Sequence, residues 1–154
     1  DRIGEITAGT RAYLDGPHGH FVPDEQPVPA VYIAAGTGIS PVLSHLRTFR
    51  AHNEQRRLTL IYSVPTDDEI AQREELESLT KALDLTVHYV VQRPTPRWRG
   101  AMGLLDQKLL EACLPEQDRA GPRYFVCGPP RMVASVHAIL RRMGIPASRI
   151  VSGS

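Results

Sequence analysis

Between Val28 and Phe49 the chain reads VPAVYIAAGTGISPVLSHLRTF, and this stretch restricts the fold more than any other. A short apolar run, Val31 to Ala35, stops at Gly36-Thr37-Gly38. Apolar residues then recur at helix spacing through Val42, Leu43, Leu46 and Phe49. A strand, a glycine turn and a helix in that order leave backbone N–H groups unpaired at the helix start, where a phosphate can sit. Ser40 reads as the N-cap, and Pro41 suits the first helical position because its missing N–H would have no partner there.

The rest of the chain repeats this rhythm. Strands are expected at 31–35, 58–63, 85–91, 123–127 and 149–152, with helices at 41–52, 68–83, 103–113 and 130–143. The strands are near-continuous apolar runs, as in strands covered on both faces. Alternation with helices of about 10–15 residues implies βαβ units. The expected fold is α/β: a three-layer, Rossmann-like open parallel sheet of about five strands in the order 3-2-1-4-5, with helices on both faces. Asp67 or Asp68 is expected to cap the second helix, whose first turns are rich in acids.

At 154 residues there is room for one such core. The net charge of +1 gives no basic field for nucleic acid. No apolar run approaches the roughly 18–20 residues of a membrane span. Cys113 and Cys127 are too few for a disulfide framework. Residues 9–21 read as a strand ending in a turn at Gly16-Pro17. Prolines 17, 23, 27 and 29 then make a semi-rigid connector. Residues 1–27 are thus expected to be the end of a preceding domain plus a linker, with residues 28–154 as the main domain.

In open parallel sheets ligands bind at the carboxyl ends of the strands. Three such ends stand out. The first, Gly36 to Pro41, reads either as a tight structural turn or as a phosphate cradle. It is not a GxGxxG fingerprint, because Pro41 takes the place of the third glycine, and it lacks the lysine of a P-loop. The second is Cys127-Gly128-Pro129-Pro130. Cys127 is either a core cysteine or a cleft thiol with a pKa lowered by the neighbouring helix N-terminus. The third is Tyr62-Ser63, facing the adenosine side of a dinucleotide. There Arg73 either holds a 2′-phosphate or pairs on an exposed helix face, while Asp67 or Asp68 would accept from a ribose hydroxyl. His18 and His20 form a pair with no third metal ligand nearby. His45, His52, His88 and His137 read as ordinary packing or surface residues, and no Ser/His/Asp spacing supports hydrolysis.

With Asp15-Gly16-Pro17-His18-Gly19-His20-Phe21, these strand ends resemble the pyridine-nucleotide-binding half of the ferredoxin–NADP reductase superfamily, and within it the ferric-reductase and NADPH-oxidase-like flavin reductases most. The family's G-P-x-G-x-F linker is similar to Gly16 through Phe21, and its A-G-G-T-G-I-[ST]-P turn to Ala35 through Pro41. Its C-G-P-x-x-M element matches Cys127 through Met132. Trp98, Gly100 and Gly103 resemble the loop ahead of its next helix. The resemblance implies that Gly36, Thr37 and Gly38, with Ser40 and Pro41, cradle a pyrophosphate. It places Cys127 and Gly128, with Pro129 and Met132, beside a nicotinamide, and Tyr62, Ser63 and Arg73 toward the adenosine. Cys127 would be the catalytic contact. The implied cofactors are NAD(P)H and FAD, and the implied reaction is hydride transfer to FAD followed by electron passage to an acceptor.

The match fails in two places. The family's R-x-Y-[ST] flavin motif is missing, and Arg149-Ile150-Val151-Ser152 is followed only by Gly153-Ser154 rather than an acid and an aromatic. The expectation is therefore a cofactor-binding piece whose partners are a flavin domain of the same protein and a downstream electron acceptor. A cytoplasmic setting is expected, with no membrane contact from this piece itself. The alternative is a non-catalytic, nucleotide-responsive module that regulates its neighbour.

Overall fold

The computed structural model describes residues 9–11, 13, 21–114 and 119–153. Among these residues ten strands and α-helices follow one another: β1 (Ala30–Ala35), α1 (Ile39–Ala51), β2 (Leu58–Val64), α2 (Arg73–Ala82), β3 (Leu85–Val91), β4 (Ala101–Met102), α3 (Gln107–Cys113), β5 (Arg123–Cys127), α4 (Pro130–Arg142) and β6 (Ile150–Gly153). The sheet is parallel throughout, in the order β4-β3-β2-β1-β5-β6.

Side chains alternate across each strand, and that alternation builds two cores. On β1, Ala30, Tyr32 and Ala34 face one layer with Leu58, Leu60, Tyr62 and Phe125. That layer is closed by α1 (Val42, Leu46, Phe49) and α2 (Leu76, Leu79). Val31 and Ile33 face the other layer with Ile61, Tyr124 and Val126, closed by Leu110 of α3 and by Val136, Ile139 and Leu140 of α4. Burying each such Leu or Phe is worth roughly 1.5–3 kcal/mol, so both helix layers are held by the pattern read from the sequence.

The expected order 3-2-1-4-5 is present as β3-β2-β1-β5-β6, with one addition. The two-residue β4 pairs with Val90 and Val91 and gives the sheet a sixth strand. Three helix starts also differ from expectation. A 3-10 turn over Gly36–Gly38 runs straight into α1, so Gly38 takes the cap position and Ser40 makes no cap bond. The acids Asp67–Glu69 form a separate 3-10 turn, and α2 begins only at Arg73, after Gln72 adopts a left-handed φ of 54°. Asp67 and Asp68 therefore do not cap it. The α3 helix starts at Gln107 rather than 103, because the Asp106 carboxylate accepts from Leu109 N–H at 2.8 Å. The end of α4 is as expected. Gly144 has φ +85°, and Ile145 N–H reaches back to the Leu140 carbonyl at 3.1 Å. The strand expected within 9–21 falls largely outside the described residues, as do His18 and His20.

Candidate functional site

β1 leads to β2 on one side, whereas β5 and β6 lie on the other, so the strand order reverses between β1 and β5. A crevice opens at the carboxyl ends of strands at such a switch point. Here Ala34 pairs with Cys127, which brings the two glycine turns, 36–38 and 127–128, side by side.

The contact between them is backbone on backbone. A methyl group on Gly38 would overlap the Cys127 carbonyl, whose carbon lies 2.6 Å from the Cβ position, and Gly128 N would be 2.8 Å away. Gly36 has φ +52° and nothing within 4 Å of its Cβ position, so this glycine is required by conformation. At Gly128, with φ +155°, a Cβ would meet the Met132 methyl at 2.5 Å and the Ala35 Cβ at 3.1 Å. Pro129 stands at the cap of α4 and Pro130 in its first turn.

Each glycine turn lines a groove of its own. One, of about 370 Å³, is lined by Gly36, Thr37 and Ser40 on the helix side and by Tyr62, Pro65 and Glu69 on the other. The larger, of about 470 Å³, includes Gly128, Val133 and His137 with Ser152 and Gly153 at the end of β6. Thr37 and Ser40 are exposed at the start of α1, and no side chain caps that helix. Together with the open Cα of Gly36, this start of α1 fits a phosphate. Pro41, which has no N–H, lies in the same turn and is half-buried.

Tyr62 is buried, and its hydroxyl donates to the Gly36 carbonyl at 3.4 Å, so it braces the turn from beneath. Burial raises its pKa, which keeps the phenol protonated. Ser63 is buried too and contributes to a smaller cavity of about 220 Å³ with Arg131 and Met132. Burial likewise raises the Cys127 pKa, against the lowered value expected for a thiol beside a helix N-terminus. Desolvation disfavours the charged form, and Cys127 is a neutral, polarisable thiol rather than a thiolate nucleophile.

In the loop after β2, Asp67 is engaged. Both Asp67 carboxylate oxygens accept from Thr95, one from its N–H and one from its hydroxyl, each at 2.8 Å. These bonds hold its pKa below the ordinary value and tie the loop after β2 to the loop after β3. Arg73 pairs with Glu77 at 3.3 Å and lies over the Tyr89 ring at 5.7 Å, the exposed helix pairing that was its other reading. Trp98 folds back over Gly100 and donates to the Ala101 carbonyl at 3.0 Å, which shapes the turn into β4. Among the described residues no cluster of three His, Cys, Asp or Glu side chains could hold a metal ion.

One of the histidines expected in ordinary packing or surface roles is buried, with a partner at each ring nitrogen. His45 is 8% exposed, with Tyr32 Oη 3.1 Å from Nδ1 and the Phe21 carbonyl 3.1 Å from Nε2. It lies on the apolar stripe of α1, three residues after Val42 and four before Phe49, and that position was the available signal.

The oxidoreductase NAD-binding domain family matches residues 32–138, more than half of the chain. NADH-cytochrome b5 reductase 1 of Cryptococcus neoformans is 30% identical across 96% of this chain and 53% of its own length. The cytochrome b5 reductase domain of Ulva prolifera nitrate reductase is 29% identical, with a TM-score of 0.73 over 81% of this chain and 48% of that one. A flavohemoglobin from Malassezia yamatoensis, solved with bound FAD and heme, is 27% identical with a TM-score of 0.72, over 84% of this chain and 32% of that one. The chain thus spans about half the length of the curated relative. These likenesses do not single out the ferric-reductase branch suggested by the motifs. With the switch-point crevice, they establish that the chain belongs to the oxidoreductase NAD-binding domain family of the ferredoxin–NADP reductase superfamily.

Proposed function

We propose that this domain binds a reduced nicotinamide dinucleotide across the β1/β5 crevice and presents it to FAD on a flavin domain that precedes residue 28. The observation that supports this reading best is the junction of Gly38 with the Cys127 carbonyl, which sets the glycine turn at the start of α1 directly against the Cys127-Gly128 turn. When bound, the dinucleotide supplies the hydride and the flavin accepts it. The chain's own residues supply position. Gly36, Thr37, Gly38 and Ser40 take the pyrophosphate at the α1 N-terminus, with Pro41 fixing the first turn. Cys127 and Gly128, backed by Pro129 and Met132, form the surface on which the nicotinamide ring lies. Tyr62 holds the turn through the Gly36 carbonyl, and Ser63 supports the base of the crevice. The protonated Cys127 thiol packs there without donating or withdrawing charge from the reaction.

The adenosine end favours NADH. Glu69 lines that groove, and Arg73, the cation expected to take a 2′-phosphate, is partnered by Glu77. A second acidic partner beside a phosphate is unfavourable. Residues 1–27 are read as the end of the flavin domain plus the linker, and the electron acceptor lies elsewhere in the protein or on a partner.

Calorimetric titration with NADH and NADPH up to millimolar concentration, on the wild type and on Gly36→Val, tests the reading. The expected result is saturable binding with NADH preferred, lost in the variant while the fold persists. No saturable binding of either nucleotide refutes it. Equal binding by the variant moves the pyrophosphate away from this turn.

A further inference from the structure

The Phe21 carbonyl can only accept, so Nε2 of His45 carries the ring proton, and Nδ1 is left to accept from the Tyr32 hydroxyl. One neutral tautomer satisfies both partners. Phe21 is held further by its ring, which stacks on His45 at 5.3 Å and meets Phe125 edge-on at 5.2 Å. On its remaining side the ring reaches the candidate site. A Cβ placed on Gly153 would lie 2.9 Å from Phe21 Cδ2 and 3.3 Å from the Cys127 Sγ, so ring and thiol flank the same backbone atom. Three residues further on, both Arg56 guanidinium NH2 groups donate to the Asp24 carbonyl at 3.2 Å. The segment from Phe21 to Asp24 is therefore fastened at two points to the α1 and β2 side of the sheet.

We propose that His45 is a positioning residue for hydride transfer: it fastens the incoming linker through the Phe21 carbonyl and seats the Phe21 ring behind Gly153 and the Cys127 thiol. The proposal rests on the nucleotide-binding reading above. Its consequence is geometric. The linker travels with the nucleotide domain, and the nicotinamide surface is registered against whatever the linker carries. A displacement of about 1 Å at a reacting centre can cost on the order of a hundredfold in rate.

Protonating His45 would break this arrangement. Its neighbours are the Tyr32 hydroxyl from β1, kept protonated by burial, the Phe125 and Phe49 rings, the Phe21 carbonyl, and the Arg56 guanidinium. Glu54 and Asp24 are the carboxylates nearby; Glu54 is bound to Arg56 at 2.6 Å and Asp24 faces Arg123 at 3.6 Å. Burial and Arg56 both oppose a second positive charge, so the neutral ring is the working form.

The test is anaerobic stopped-flow reduction of the flavin in the FAD-bound full-length protein, with nucleotide affinity measured separately. His45→Leu, which keeps an apolar side chain but removes both hydrogen bonds, is expected to lower the limiting rate by about tenfold or more. Its nucleotide affinity should stay within about twofold, the mark of lost positioning rather than lost binding. His45→Gln, whose amide can both donate and accept, is expected to keep the rate within about threefold. The wild-type rate should fall once the pH reaches the lowered pKa of His45, on the acid side of the ordinary histidine value, and His45→Gln should lack that acid limb. A His45→Leu rate within about twofold of wild type, or the same acid limb in His45→Gln, overturns the proposal. Should His45→Leu not fold, the pH profile of His45→Gln decides alone. Absence of nucleotide binding by the wild type would instead refute the underlying reading, and this proposal with it.

Discussion

Gly38→Ala separates steric from conformational demands within one turn. Gly38 has φ −61° and ψ −8°, ordinary helical values that alanine adopts without strain. The added methyl, however, would collide with the Cys127 carbonyl group and lie 2.8 Å from Gly128 N. All of these are backbone atoms of a buried strand end, so no rotamer change relieves the overlap. Overpacking of this kind costs roughly 1–3 kcal/mol, and the upper half of that range is expected because the neighbour cannot swing away. At this chain length each kcal/mol moves the melting temperature by roughly 2–4 °C, so a drop of about 4–12 °C is expected. Gly36→Ala is the control. Nothing lies within 4 Å of its Cβ position, and only the left-handed φ of +52° is penalised, by about 1–2 kcal/mol. Urea unfolding of both variants, with nucleotide titration of each, measures the difference. A Gly38→Ala protein as stable as wild type, or less perturbed than Gly36→Ala, would refute the idea that the two turns are locked together by direct backbone contact.

Two other outcomes follow from buried groups. His45 and His88 both have pKa values lowered by burial, so the unfolded chain binds protons more readily than the folded one. Their contribution to stability is complete above the ordinary value of 6.5 and is lost as pH falls toward their lowered folded values; unfolding free energies measured across that window should decline on the acid side, and less steeply in His45→Gln. Cys127 is buried with a raised pKa, so mass-spectrometric mapping after iodoacetamide treatment at neutral pH should find it unmodified in the folded domain and alkylated in urea; rapid labelling of the native protein would contradict the neutral-thiol assignment.

What the sequence revealed depended on how local the signal was. The strands β1, β2, β3, β5 and β6 are carried by their own apolar runs, and the alternation within Ala30–Ala35 already divides the two helix layers. β4 has no such run: two residues, Ala101 and Met102, become a strand only because Val90 and Val91 are there to pair with them. The acids at 67–69 imitate a helix start, but the Asp67 carboxylate is taken by Thr95, 28 residues away, and no local pattern encodes that bond. Ser40-Pro41 carries the composition of a helix start, yet the glycine turn continues directly into α1 and leaves Gly38 at the cap. The glycines and Cys127 were legible because they sit at strand ends, whereas the direction of the Cys127 pKa was not, since it depends on how deeply β6 and the linker cover it. The place of His45 on the buried stripe of α1 could be read from spacing, but its two partners could not.

The pairing of β1 with β5 also has a kinetic side. Ala30 joins Leu58 in β2 but also Arg123 in β5, a closure spanning roughly three times as much chain. By loop-closure entropy the longer connection costs about 1 kcal/mol more, and contacts of high sequence separation slow folding. The first three strands and their two helices can assemble on short loops, one neighbour at a time, as the chain emerges. The crevice cannot, because one of its walls is absent until β5 inserts against β1. Nucleotide binding by this domain is therefore a readout of completed folding, and a ligand spanning the two turns would act on the chain by holding shut that long loop.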